Sequence, residues 1–539
     1  MTVLIHNDSI WITDGSLYVR GHAYYERTYL DKQEILEKLK GLNNLTTLKD
    51  IISNLNGFFS IIIDEKDKTI IAADRMRSSP VFYSKLNNDF LVSDDCNWLK
   101  KKMKNSSISS VIETEYITSR FVTGSDTLHS DIKQIQAGEM VVFDKESNTI
   151  EHKRHHIHRL SSDEYISENL NKKFENVLEN SFSRLVDIAD GRPIFIPLSG
   201  GYDSRLIALM LKQIGYENVV TYSTNIFTEK NRSIAKSVAE NLGFAWLNAE
   251  LTHNDWGKFQ DSPMWDKYFN MAGSLAVLPT LMDILTLIEL DQKGKIPENA
   301  LFVPGHSSLD TMKATPTIFE GQEEIDVDQL GSYIIDQHFK YNEHVPRPKS
   351  KLIDRISKNL GINTLNGPDS PVEAFERWRL EERRSKLIIN QVRAYDYLNL
   401  DWWLPLEDRE IYEFWRKVPI EEKRHREFYE DYIENKYISL VGVDRATAEK
   451  VAEPNLIIFA KKHFRETSLW PLLQTGYNFW SNSLINYQYR KQFKLNEIYE
   501  SDPRFGIMSK DTVESNFHNQ QHLLYSLIAL AEVGRIDLQ

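Results

Sequence analysis

A single cysteine in 539 residues, Cys96, leaves no means of forming an internal disulfide, a paired-cysteine zinc site or a redox couple. Positive charge is also short. Lys and Arg number 65 against 78 Asp and Glu, and the net charge of −13 argues against a nucleic-acid partner, because phosphate backbones are held by basic surfaces. Long apolar runs are missing too: the most apolar stretch, Leu275–Leu290, is interrupted by Pro279, Asp283 and Glu289. It reads as a buried helix rather than a membrane span. The first residues, Met1 to Asn7, show no basic region followed by an apolar core, so no signal peptide is expected and the chain reads as soluble and cytoplasmic. No internal repeat is visible. What is present, 41% hydrophobic and 27% charged residues, is the composition of an ordinary globular protein long enough for at least two domains.

Residues 1–150 read as β-rich. Short apolar runs (Phe58–Ile63, Thr69–Ala73, Val81–Tyr83, Phe90–Val92, Glu139–Phe143) are separated by polar turns, with one helical stretch at Asp31–Leu42. Residues 151–162 read as a linker. Its histidines, His152, His155, His156 and His158, fit neither one helix face nor a zinc-finger spacing, so a solvated connector is favoured over a metal site. From residue 163 onward strands alternate with helices: a helix over 164–188, strands at Ile194–Leu198, Val219–Thr224, Ala245–Leu251 and Ala300–Val303, and helices at Arg232–Leu242 and Thr280–Leu290. That alternation predicts a parallel sheet with crossover helices on both faces. After about residue 330 the chain reads as mostly helical.

The strand Ile194–Leu198 runs into Ser199-Gly200-Gly201-Tyr202-Asp203-Ser204 and then an amphipathic helix. A glycine-rich turn opening a helix offers free N–H groups and the positive helix end to an anion. Ser199 and Ser204 add hydroxyl donors, and Asp203 suits a magnesium ion held against phosphates. The Lys of the Walker loop is absent, so γ-phosphate transfer is not the expected chemistry. A second strand ends similarly, in Pro304-Gly305-His306-Ser307-Ser308-Leu309-Asp310, where Asp310 is a candidate second magnesium ligand. Further on, Arg393 suits a polyphosphate or a substrate carboxylate with Asp408 orienting it, or else forms a structural pair with Asp396. Trp402 and Trp403 read as core.

Together these segments resemble the asparagine synthetase superfamily over most of the chain. Ser199–Ser204 resembles its first ATP motif and the SGGxDS loop of ATP pyrophosphatases. Gly305–Asp310 resembles the second motif, and Leu404-Pro405-Leu406-Glu407-Asp408 its Pro-Phe-Leu-Asp segment. Leu55–Ile61, Ala73–Tyr83 and Thr127–Gly138 resemble the glutaminase domain. The resemblance implies an α/β protein: an Ntn-hydrolase-like αββα sandwich, then a parallel-sheet ATP pyrophosphatase domain over 163–539 with a helical C-terminal part. It implies ATP and Mg2+, adenylation of a carboxylate, attack by ammonia or an amine, and release of AMP and pyrophosphate. Ser199, Gly200, Gly201 and Ser204 would hold the phosphates, Leu198 and Tyr222 would flank the adenine, and Gly305 would approach the α-phosphate. Asp203 and Asp310 would hold magnesium. The partners implied are a small-molecule, sugar-acid or peptide carboxylate, with no nucleic acid and no membrane span; a homodimer is compatible with it.

Two departures narrow this. The family's glutaminase uses an N-terminal cysteine, whereas position 2 is Thr2, so glutamine hydrolysis is expected to be lost unless Thr2 itself acts as nucleophile. In the second motif His306 stands where the family has an acidic residue. That pattern resembles members that close isopeptide rings in lasso peptides or amidate sugar acids, and the imidazole is either a base for the attacking amine or a hydrogen-bonding group of the loop. Genuine asparagine synthesis and a noncatalytic binding protein are the alternatives. A C-terminal catalytic lysine is also expected, with Lys450, Lys461 and Lys462 as candidates.

Overall fold

The computed structural model describes residues 3–442 except 6–9, 43, 88, 104–107, 160–163, 167, 310–324, 343–344, 366–369 and 424–425, together with 503–507, 511 and 523–534. Thr2, Asp310, Lys450, Lys461 and Lys462 lie outside the described residues.

The N-terminal part consists of two sheets packed face to face. Strands β1 (Val3–Leu4), β7 (Phe82–Leu86), β8 (Asp89–Ser93) and β9 (Lys133–Gln134) form the smaller sheet, in the order β1-β8-β7-β9. The larger contains β2 (Trp11–Thr13), β3 (Leu17–Tyr25), β4 (Thr28–Leu30), β5 (Leu55–Asp64), β6 (Lys68–Ala73), β10 (Glu139–Asp144) and β11 (Thr149–Arg154), in the order β11-β10-β6-β5-β3-β2 with β4 on β3. Strand β5 is apolar without alternation because both its faces are covered. Ile61 and Ile63 pack on helices α1 (Lys32–Leu39) and α2 (Leu45–Asn54), while Ile62 faces Phe90, Val92 and Phe143 in the seam between the sheets. Helix α3 (Cys96–Lys102) covers the outer face of the smaller sheet through Cys96 and Leu99, which completes an α-β-β-α stack.

Helix α1 starts where sequence places it: Asp31 and Glu34 close a capping box. Helix α2 and strand β3 were not anticipated. The β-branched Thr46, Thr47, Ile51 and Ile52 disfavour a helix locally, and Arg20, Gly21 and His22 dilute the strand pattern. Tertiary pairing overrides both, since β3 pairs with β5 along its whole length, Leu17↔Ile63 to Tyr25↔Leu55.

The reading of residues 151–162 as a solvated linker needs correction. Strand β11 continues to Arg154, beyond the boundary placed at 150, and pairs with β10. His155 Nε2 lies 2.8 Å from the Ala73 carbonyl, and His158 is buried with Nε2 3.4 Å from the Arg75 carbonyl. His156 and His158 both pack edge-on against Tyr412. Burial lowers all three imidazoles, His155 to about 4 and His158 to about 3, so they are neutral packing groups.

After helix α4 (Ser110–Ser119), the second part is built on five parallel strands: β12 (Ile194–Pro197), β13 (Val219–Thr224), β14 (Ala245–Ala249), β15 (Leu301–Phe302) and β16 (Asp401–Trp402). Their order is β14-β13-β12-β15-β16. Helices α5 (Leu170–Ala189), α6 (Tyr202–Ile214), α7 (Glu229–Leu242), α8 (His253–Gln260), α9 (Pro263–Gly273) and α10 (Leu281–Gln292) connect or flank these strands. The apolar stretch read as a buried helix is α10, with Leu281, Ile284, Leu285, Leu287 and Leu290 in the core. Among the described residues no helix is long and apolar enough to cross a membrane. The chain adds β13 and β14 on one side of β12, then crosses over to add β15 and β16 on the other. The sheet's switch point therefore lies between β12 and β15, where ligands of open α/β sheets bind beyond the carboxyl ends.

The remainder is helical: α11 (Val327–His338), α12 (Lys349–Leu360), α13 (Ser370–Trp378), a π-helical turn at Arg379–Ile388, then α14 (Arg393–Tyr397), α15 (Arg409–Trp415), α16 (Ile420–Lys423), α17 (Glu427–Val441) and α18 (Leu523–Glu532). The two parts are joined by a buried seam. Trp402 and Trp403 pack against Phe58, with His22 5.0 Å from the Trp403 ring, which bears out their reading as core. Polar groups cross it as well: Asn56 donates to Asp408, and the Gly124 N–H donates to Glu382.

Candidate active site

The two glycine-containing loops meet at the switch point. Gly200 sits at φ +76°, where a side chain would be strained, and Gly201 is the N-cap of α6. A Cβ on Gly305 would lie 2.9 Å from the backbone nitrogen of Ser204. Glycine at 305 is therefore what allows the second loop to close onto the first turn of α6. The loops hold few bonds of their own. The Ser199 N–H reaches Ser204 Oγ at 3.4 Å and the Gly201 N–H reaches Ser199 Oγ at 3.4 Å, both long and therefore weak bonds that a stronger acceptor at the helix end could replace.

A cavity of ≈ 300 Å³ opens there. Ser199, Gly201, Asp203 and Ser204 line one wall, with Gly305, His306 and Ser307 beside them. The lining also includes Asp283 of α10, Arg379, Arg383 and Arg384 of the π-helical turn, and Gln391 and Tyr395.

Asp203 accepts a 2.6 Å hydrogen bond from Tyr429 and pairs with Arg426 at 3.4 Å, so the first turn of α17 and its N-cap hold the carboxylate in place. Magnesium takes one or two carboxylates with phosphate oxygens and water filling the rest of its shell. Asp203, on the cavity lining beside Ser199 and Gly201, is a carboxylate of the type that role needs, and among the described residues no cluster of three His, Cys, Asp or Glu forms a complete protein cage.

His306 Nε2 lies 3.0 Å from Gln391 Oε1. Burial, reinforced by the nearby Arg384 guanidinium, lowers its imidazole to about 4. It is neutral at physiological pH and a weak base. The opposite holds for Asp283, which burial alone raises to about 7.

Other sequence candidates fall elsewhere. Leu198 is buried in the core beneath the loop, its N–H bonded to the Tyr222 carbonyl at 2.8 Å. The Tyr222 ring is buried under the cavity, its hydroxyl 3.3 Å from that of Tyr395, which does reach the cavity. Neither Leu198 nor Tyr222 lines the cavity wall. Arg393 is not brought to the site: it is buried in the seam, 2.8 Å from Asp396, which also pairs with Arg20 at 2.7 Å and accepts from Trp402 at 3.1 Å. Asp408 does not orient Arg393 either. It caps α15 and makes a two-pronged pair with Arg184 at 2.8 and 2.9 Å. The residues missed from sequence are Asp283 and the three arginines. The only signals were a carboxylate inside an otherwise apolar run and three arginines within six positions, which the widened turn collects on one side.

Residues 39–155 match the family described as Glutamine amidotransferase domain. Over 335 residues the chain is 23% identical to the Microcin J25-processing protein McjC of Escherichia coli, an alignment covering 59% of this chain and 59% of that protein. Solved structures similar to it include an NH3-dependent NAD synthetase from Campylobacter jejuni (16% identity, TM-score 0.20, covering 36% of this chain and 95% of that one). Another is the glutamine phosphoribosylpyrophosphate amidotransferase of B. subtilis complexed with ADP and GMP (12% identity, TM-score 0.18, covering 56% and 58%). The chain thus joins a β-sandwich part that contains the matched glutamine amidotransferase segment to a domain built on five parallel strands, with distant similarity to the McjC protein.

Proposed function

We propose that this chain, an amidotransferase-type domain joined to an ATP pyrophosphatase-like domain, is an ATP-dependent ligase that activates a carboxylate as its adenylate and passes the acyl group to nitrogen. The observation that carries the reading is Gly305 seated on Ser204, which puts the second loop against the anion-binding turn at the switch point. A substrate carboxylate oxygen attacks the α-phosphorus of ATP, the bond to the β-phosphate oxygen breaks, and pyrophosphate leaves. Nitrogen then displaces AMP from the acyl carbon. Ser199, Gly201 and the first turn of α6 hold the departing phosphates, and Gly305 lets the backbone approach the α-phosphate. Asp203, with Asp310, would hold the magnesium that neutralises phosphate charge.

The neutral His306 serves as a hydrogen-bonding group of the second loop, since an imidazole lowered to about 4 is poorly matched to taking a proton from an amine. Arg393 has a structural role. Glutamine hydrolysis within this chain is not part of the proposal: the one cysteine is buried in α3, and burial pushes its thiol well above the usual value. Similarity to a microcin-processing protein favours a peptide carboxylate among the acceptors, ahead of a sugar acid or free aspartate. Exchange of labelled pyrophosphate into ATP, screened against aspartate, uronic acids and peptides, tests the reading. One acid should stimulate exchange, and Asp203→Ala should lower it about 100-fold. Unchanged exchange and nucleotide affinity in Asp203→Ala would remove the basis for the ligase.

A further inference from the structure

Asp283 occupies N3, the third helical position of α10, with Thr280 as N-cap. At that position in three other helices the side chain turns back and closes a capping box: Glu34 with Asp31, Asp255 with Thr252, and Gln329 with Asp326. Thr-x-x-Asp at 280–283 has the same sequence signature. No box forms there. The Thr280 side chain makes no capping bond, and Asp283 lines the cavity instead.

Its Oδ2 is buried without a hydrogen-bond partner. The titratable groups around it are hydroxyls: Tyr222 from β13, Tyr268 from α9, Tyr395 from α14 and Tyr525 from α18, with His306 and the three arginines on the cavity lining. Arg384, the nearest guanidinium to His306, is itself tied to Glu407 at 2.6 Å. A buried carboxylate oxygen with no partner is costly to the fold, and a hydrogen-bond donor bound in the cavity beside the half-buried side chain would offset that cost.

We propose that Asp283 is the amine-binding group of the cavity: its carboxylate receives the nitrogen nucleophile as an ammonium ion and takes one of its protons. The inference rests on the ligase reading above. An ammonium has no lone pair to donate, so a proton must leave before the acyl carbon is attacked. The proton moves from nitrogen to the Asp283 carboxylate, and the freed lone pair forms the C–N bond. The C–O bond to the AMP phosphate then breaks with its electrons, and the second surplus proton leaves the adduct for water. A carboxyl held near neutrality by burial is well matched to this transfer.

The test uses methylammonium chloride as probe on the full chain, with magnesium and α,β-methylene ATP present and potassium chloride as the cation control. Saturation transfer to the methyl protons reads binding. Saturable binding is expected in the wild type, weakened at least about tenfold in Asp283→Asn, with analogue affinity unchanged. Methylammonium binding that is absent, or equal in both proteins, overturns the proposal. So does a loss of magnesium affinity in Asp283→Asn with methylammonium binding intact, which would make Asp283 a metal ligand. Failure of both proteins to bind the nucleotide analogue, with methylammonium still sensitive to residue 283, would overturn the ligase reading and leave the amine site standing. Thermal melts accompany the titration, and Asp283→Ser provides a second variant. A carboxylate kept for stability would lower the melting temperature when amidated, which also overturns the proposal; a ligand-binding one should leave it equal or raised at pH 8.

Discussion

Two carboxylates of the second domain, the buried Asp396 in the seam between domains and the half-buried Asp283 in the cavity, have opposite fates. Asp396 is met by Arg20, Arg393 and the Trp402 indole, and those cations hold its carboxyl below the usual range despite burial. Asp283 has no such partner and is raised to about 7. The seam satisfies its charges internally and so contributes structure. The cavity leaves the Asp283 Oδ2 acceptor unsatisfied, which is a condition for binding something else.

The contrast breaks first at Gly305. Gly305→Ala drives a Cβ against the Ser204 backbone nitrogen, 2.9 Å away, and neither loop has a flexible end to give. Pyrophosphate exchange should fall about 100-fold or more while the melting temperature changes little, because the displacement is local to the reacting groups. An equally large loss in melting temperature would mean that the loop contact is mainly structural.

The seam should respond the other way. Arg393→Met leaves Asp396 short of one cation and should cost about 3 kcal/mol of stability in denaturant titrations, with exchange kept within a few-fold. A loss of exchange in the folded variant would return Arg393 to the catalytic candidates.

Asp283 and His306, both on the cavity lining, separate by pH. Asp283, raised from the usual 3.8 to about 7, holds a proton in the folded chain that the unfolded chain has lost. Stability from this group therefore falls as pH rises from about 4 to about 7, by about 4 kcal/mol at most, and Asp283→Asn should flatten that decline. His306, lowered from 6.5 to about 4, works in reverse. Its unfolded form binds protons first, so stability falls as pH drops through that window, by about 3 kcal/mol at most, and His306→Gln should relieve it. Melting curves of both variants between pH 4 and 8 read the two slopes; parallel slopes would show that neither group carries the difference.

The first loop was legible from residues 194–204 alone because its chemistry is contiguous: a strand, two glycines, two hydroxyls and a carboxylate within one turn. The second was half-legible, since its glycine signals close approach without saying to what. Arg393 was ambiguous because its partner lies three positions away, while the deciding contact, Arg20, lies in the other domain. The histidine run misled for a similar reason. Its polarity suggested solvent, but β11 carries it onto β10 and under Tyr412.

By itself, then, the sequence determined an α/β chain with a glycine-rich strand-to-helix turn and an amidotransferase-like β-rich start, because those features rest on neighbours along the chain. Tertiary structure alone decided which strand end faces that turn, which cations are consumed in the seam, and that Asp283 leaves its helix cap for the cavity. Those outcomes depend on burial and on groups brought together from distant positions, and local pattern carries no record of either.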